Sequence, residues 1–139
     1  MKRVLLFLVM AVGILAANCQ QSNQTNGQST NDQVLSAQYE LIEVVQLKQI
    51  LSEQPDIQLF DVRTPKEFGE GSIDQAVNIN FFDPDFGNQM MDAANKEQPV
   101  YIFCRSGRRS AGASEKLKDL GFKTIYDLKG GFLAWSEEN

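Results

Sequence analysis

The residues best equipped for chemistry lie between Val100 and Ser110, in the stretch VYIFCRSGRRS. Cys104 follows a purely apolar run and opens a loop that carries Arg105, Ser106, Gly107, Arg108, Arg109 and Ser110. A thiolate is the nucleophilic form of cysteine, and nearby guanidinium groups and helix N-terminal amides stabilise it. The same groups make an anion-binding concavity, with Gly107 letting the backbone curl where a Cβ would clash. Cys104 is therefore expected to be partly ionised at neutral pH and to meet an anionic substrate. Burial as an inert core thiol is the plainer alternative. It does not explain why three of the four arginines beyond the first few residues lie within five positions of this cysteine.

The elements that must position this loop can be read from hydrophobic pattern. Val100 to Phe103 reads as a strand buried on both faces of a parallel sheet, which puts Cys104 at its carboxyl end, where open α/β sheets bind ligands. Ala111, Ser114, Leu117 and Leu120 recur at helical spacing, and Gly121 stops that helix. Upstream, Tyr39 to Ile42 reads as a short strand. A helix follows, with Val44, Leu47, Ile50 and Leu51 on one face. Ile57 to Val62 is a strand that brings Asp61 to the rim occupied by Cys104. Ala76 to Ile79 is a short strand, and a helix runs through Met90, Met91 and Ala94. The aromatic and methionine residues between Phe81 and Met91 are expected chiefly to pack the core, with a substrate entrance as the lesser use. Thr124 to Leu128 is the last strand, and Gly130-Gly131 opens a final helix on the same rim, with Trp135 as a core anchor. Arg63 and Glu67, four apart, read as an ordinary helical ion pair. Alternating strands and helices predict a three-layer α/β/α domain.

Three segments carry a family resemblance. Cys104-Arg105-Ser106-Gly107-Arg108-Arg109-Ser110 resembles the active-site loop of the rhodanese-like sulfurtransferases. Asp61-Val62-Arg63-Thr64-Pro65-Lys66-Glu67-Phe68 is similar to the first signature of that family, and Tyr126-Asp127-Leu128-Lys129-Gly130-Gly131-Phe132-Leu133-Ala134-Trp135 to its last. The resemblance implies a five-stranded parallel sheet, a catalytic Cys104, and an aspartate, Asp61, that lies beneath the active-site loop and supports it together with Arg63. One position departs from the pattern. Where the family usually carries Gly-His-Ile, this chain has Gly71-Ser72-Ile73, and it contains no histidine at all.

Three chemistries are open to such a loop. In sulfur transfer, Cys104 takes the outer sulfur of an anionic donor such as thiosulfate and holds it as a persulfide for a thiol or cyanide acceptor. Arg105, Arg108 and Arg109 would bind the donor's charge, and amides from Ser106 to Ser110 would cradle the sulfur. A preformed thiolate requires no general base, no metal and no cofactor. A cysteine phosphatase or arsenate reductase would look like Cys-x5-Arg, but Ser110 holds that place and Arg109 comes one residue early. The third possibility is a sulfur carrier or partner-binding module without turnover.

The rest of the chain concerns location. At 139 residues with a net charge of -5, there is room for one domain, expected to be a monomer, and no basic surface suited to nucleic acid. Lys2 and Arg3 precede an apolar run that ends near Cys19, and residues 1–18 read as a lipoprotein-type signal peptide. Leu15-Ala16-Ala17-Asn18-Cys19 resembles a bacterial lipoprotein processing site, although Asn18 stands where a smaller residue is usual. Residues 19–37 are mostly polar and form a tether that cannot bury enough apolar area to fold. Residues 38–139 form the rhodanese-like domain. This organisation predicts lipidation at Cys19 and a membrane-anchored domain on the periplasmic side of a bacterial cell envelope. A disulfide between Cys19 and Cys104 would block the loop.

Overall fold

The computed structural model describes residues 37–138, so the expected signal peptide, Cys19 and nearly all of the tether lie outside the described residues. Five strands, β1 (Gln38–Ile42), β2 (Gln58–Asp61), β3 (Val77–Asn78), β4 (Val100–Phe103) and β5 (Thr124–Leu128), form one parallel sheet in the order β1-β5-β4-β2-β3. The predicted five-stranded parallel sheet is therefore present. β3 is shorter than the expected strand from Ala76 to Ile79.

The apolar run from Val100 to Phe103 occupies the middle of the sheet because a central strand in a parallel sheet meets core on both faces. Val100, Ile102 and Cys104 face one side, where they pack with Phe60, Val62 and Ile125. That side is covered by α3 (Phe86–Ala93) and α4 (Arg108–Asp119) through Phe86, Met90, Ala113 and Leu117. Phe103 faces the other side with Leu59 and Leu128, under α1 (Val44–Glu53) and α5 (Gly131–Glu137). The period-2 alternation of a strand thus divides one apolar segment between two cores.

Pairing continues beyond the end of β2, since the Val62 amide donates to the carbonyl of Phe103, the last residue of β4, at 2.9 Å. The two chains leave the sheet side by side, which brings Arg63 and Cys104 to one rim. After β2 comes α2 (Pro65–Gly69), opened by a capping box. The Thr64 hydroxyl accepts from the Glu67 amide at 3.3 Å, and the Glu67 carboxylate accepts from the Thr64 amide at 3.1 Å.

Candidate active site

Cys104 is a free thiol with 1 % of its surface exposed. The Gly107 amide donates to its Sγ at 3.2 Å, and the Ser110 hydroxyl approaches Sγ at 3.6 Å. Burial pushes the thiol's pKa up, but hydrogen bonds from the Ser110 amide and hydroxyl and from the Ser106 and Gly107 amides outweigh it, leaving the pKa below its ordinary value. Amides and a hydroxyl supply the largest of these effects, and the Arg109 guanidinium also acts on Cys104. α4 begins at Arg108, earlier than the apolar periodicity from Ala111 indicated, so Arg108, Arg109 and Ser110 form its first turn. Gly107 caps it in the left-handed region, at φ 101°.

The loop is held from below by α5. The Phe132 amide donates to the Cys104 carbonyl at 2.8 Å, and the Leu133 amide to the Arg105 carbonyl at 3.0 Å. These are free N-terminal amides of a helix, here spent on the backbone of the loop. Gly131, at φ 61°, makes this approach possible: a Cβ there would collide with the Cys104 carbonyl oxygen and stand 2.8 Å from the Arg105 carbonyl carbon and oxygen. The pair Gly130-Gly131 was legible as a helix opening, but its contact with the loop was not.

Above Cys104 lies a cavity of about 290 Å³ lined by Phe82, Cys104, Arg105, Ser106, Arg108 and Arg109. Arg105 and Arg108 are exposed and make no ion pair among the described residues. Arg109 differs from the expectation that it would serve the donor alone. Its guanidinium grips the Glu67 carboxylate through two hydrogen bonds, Nη1 to Oε2 at 2.7 Å and Nη2 to Oε1 at 2.6 Å, and lies 5.7 Å from the centre of the Phe82 ring. Arg109 holds Glu67 at a pKa of about 2, with the Thr64 hydrogen bonds assisting against the opposing effect of burial. The clamp ties α2 to the first turn of α4 and leaves Arg105 and Arg108 as the uncommitted positive charges. Phe86 and Met90 are core residues as expected, whereas Phe82 is an exposed wall of the mouth. A larger hollow of about 510 Å³, between Pro55, Gln58, Pro99 and Tyr101, lies at the opposite, amino-terminal edge of the sheet and is lined by no thiol.

The helical ion pair expected between Arg63 and Glu67 is not formed, because the tertiary fold gives each a better partner. Arg63 is buried against Asp61, with Nε at 2.9 Å from both carboxylate oxygens and Nη2 at 2.6 Å from Oδ2, and Nη2 also donates to the Gly71 carbonyl at 2.6 Å. Two charges removed from water at this depth must satisfy one another. Asp61 supports the active loop less directly than the resemblance implied. Its carboxylate holds Arg63 and Ser72, while the guanidinium carbon of Arg63 lies 4.1 Å from the centre of the Phe132 ring, and Phe132 in turn holds Cys104. Ser72, in place of the usual histidine, donates a 2.8 Å hydrogen bond to Asp61. Trp135, expected as a core anchor, is half-buried and packs against the core under α5, as does Phe132, which stacks on Phe103; the Lys48 ammonium lies 5.5 Å from the centre of the Trp135 ring.

One residue was missed. Asp127 on β5 pairs in register with Ile102 of β4 and has no exposed surface. Burial raises its pKa to about 6, against the opposing effects of Ser110 and Tyr39. A carboxylate at the core-facing position of an otherwise apolar strand, two residues after Ile125, was the available signal.

With this geometry in hand, comparison with known proteins is direct. The Rhodanese-like domain family matches residues 43–138, and the chain belongs to that family. It is 34 % identical over 95 residues to the thiosulfate sulfurtransferase GlpE of Vibrio cholerae, covering 68 % of this chain and 87 % of that protein. It is also 34 % identical over 90 residues to a sulfurtransferase of Allochromatium vinosum, covering 65 % and 81 %. Among solved structures, a rhodanese-like domain protein from Staphylococcus aureus superposes with a TM-score of 0.61 at 33 % identity, over 69 % of this chain and 90 % of that one. At the level of the family, these relationships make the chain a rhodanese-type sulfurtransferase.

Proposed function

We propose that the protein moves a sulfane sulfur from an anionic donor such as thiosulfate to a thiol or cyanide acceptor, with Cys104 as the carrier. The observation that carries this reading is a buried free thiol, hydrogen-bonded by loop amides, at the floor of a cavity that presents Arg105 and Arg108 with no ion-pair partner among the described residues. In the first half-reaction the Cys104 thiolate attacks the outer sulfur of thiosulfate. The new S–S bond forms as the old one breaks, and sulfite leaves with the electron pair. In the second, the acceptor's thiolate or cyanide attacks the outer sulfur of the persulfide, and Cys104 leaves as a thiolate. The amides of Ser106, Gly107 and Ser110 that favour the thiolate would also favour the persulfide anion. Arg105 and Arg108 would draw in the donor, with the neutralised Arg109 shaping the wall. Phosphatase chemistry is less well supported, because Ser110 stands at the sixth position after the cysteine and Arg109 is committed to Glu67.

Mass spectrometry of the protein before and after incubation with thiosulfate tests the chemistry and the residue together. One added sulfur atom on the peptide containing Cys104 is expected, with loss of both the adduct and thiosulfate:cyanide turnover in Cys104→Ser. Substantial turnover in that variant would overturn the assignment. The leader motif supports a further part of the proposal: the domain works on the periplasmic side of a bacterial envelope, tethered through a lipid on Cys19.

A further inference from the structure

Beneath Cys104 lies a polar cluster that the sulfur chemistry above does not use. Asp127, Ser110 and Ser114 are all fully buried, on the face of the sheet covered by α4. The Tyr39 hydroxyl, from β1, donates to Asp127 Oδ2 at 3.2 Å. Asp127 Oδ1 is buried without a hydrogen-bond partner, an expensive arrangement for an ionised carboxylate. Ser110 is the residue that acts on both this carboxyl group and the thiol. Its hydroxyl lies 3.6 Å from Cys104 Sγ and 3.1 Å from the Gly107 carbonyl, and it also acts on Asp127. A hydroxyl has one proton to donate, so these acceptors compete for it.

We infer that Asp127 is a positioning residue for Cys104, acting through the Ser110 hydroxyl to set how readily the sulfur carries a negative charge. When Asp127 is ionised, its unpartnered oxygen draws the Ser110 proton and its charge opposes a second anion nearby. When Asp127 is neutral, its own proton can be donated to Ser110 Oγ, and the Ser110 proton is free to turn to Sγ. The two acids therefore share one negative charge more easily than they carry two, and they titrate as a pair. The raised pKa of Asp127 agrees with this arrangement. Other ionisable groups facing the cluster are Arg109, whose Glu67-paired guanidinium also acts on Cys104 from the first turn of α4, Tyr39, whose pKa burial and Asp127 push up to about 12, and the α4 pair Glu115 and Lys118, joined at 2.7 Å with Lys118 Nζ 4.5 Å from the centre of the Tyr39 ring.

The inference rests on Cys104 being the reactive thiol, but its test needs no sulfur donor, so its failure and that of sulfur transfer are separable. The rate of iodoacetamide alkylation at Cys104, followed by peptide mass spectrometry of the full chain from pH 4.5 to 9.5, reads the thiolate directly. The wild type should show two coupled steps. Asp127→Asn, which keeps the shape and mimics the neutral acid, should show one step moved to lower pH, with alkylation below that step at least about threefold faster. Tyr39→Phe removes a donor that favours the ionised carboxylate, and it should shift the thiolate step in the same direction by less. In a Ser110→Ala background, Asp127→Asn should move the step less than it does alone. Tyr39→Phe lies on an edge strand and provides the test if Asp127→Asn fails to fold. Profiles that coincide with wild type in the folded variants, a shift to higher pH, or an Asp127→Asn effect undiminished by Ser110→Ala would each overturn the inference.

Discussion

Gly131→Ala is the most searching single perturbation of the support beneath the loop. Its backbone lies at φ 61°, where a residue with a Cβ is disfavoured by about 1 to 2 kcal/mol. The added methyl would collide with the Cys104 carbonyl oxygen and sit 2.8 Å from the Arg105 carbonyl group, both of them backbone that no rotamer change can move aside. To reach an ordinary van der Waals distance, α5 and the loop must separate by several tenths of an ångström or more. That strains the hydrogen bonds from Phe132 to Cys104 at 2.8 Å and from Leu133 to Arg105 at 3.0 Å, each contributing about 0.5 to 1.5 kcal/mol. The expected loss is about 2 to 5 kcal/mol of folding stability, a large fraction of the 5 to 15 kcal/mol typical of a domain. The chemistry should suffer beyond this, because a displaced Cys104 leaves the amides of Ser106, Gly107 and Ser110, and a shift of about 1 Å can reduce turnover about 100-fold. Urea unfolding followed by Trp135 fluorescence measures the first effect, and thiosulfate:cyanide turnover, under conditions where the variant is folded, measures the second. A variant with an unchanged midpoint and turnover within about twofold of wild type would refute the claim that α5 seats the loop.

Other consequences are independent of that one. Glu67 has a lowered pKa, so its stabilising pair with Arg109 is fully present above the ordinary value of 4.5 and is lost as pH falls through about 2; Glu67→Gln should cost about 1 to 2 kcal/mol at pH 7, with the difference from wild type vanishing in strong acid. Asp127 runs the other way: its raised pKa contributes stability that is present below 3.8 and lost as pH rises through about 6, so Asp127→Asn should gain on wild type between pH 4 and pH 8 by up to about 3 kcal/mol in urea unfolding. Aryl phosphates should remain essentially unhydrolysed by the wild type while sulfur is transferred, and faster hydrolysis than sulfur transfer would replace the proposed chemistry. Fatty-acid labelling in a bacterial host should mark the full chain and spare Cys19→Ala, with equal labelling of both refuting lipidation at that residue.

Local pattern was enough to place most strands and helices and to single out one thiol, while the five-stranded parallel sheet came from the resemblance of three motifs to a family. The apolar run from Val100 to Phe103, cut off by Cys104, reads as a buried strand delivering a thiol to the rim, and glycine and arginine in the next five residues suit that rim to an anion. These are properties of neighbouring residues, with periods of 2 and 3.6 that survive any tertiary arrangement. How Arg109 is held was decided by a residue far along the chain. Glu67 lies 42 positions from Arg109, and reading it against Arg63 four residues away gave the wrong partner, because a surface helical pair is weak and a two-pronged clamp between α2 and α4 is stronger. Gly131 announced a helix opening, yet only the packing of α5 under β4 shows that its missing Cβ makes room for the Cys104 and Arg105 carbonyls. Asp127 was visible as a letter but not as a buried acid. Its burial depends on β5 lying between β1 and β4 and beneath the first turn of α4, an arrangement that brings Tyr39, 88 residues away, to one oxygen and leaves the other unpartnered.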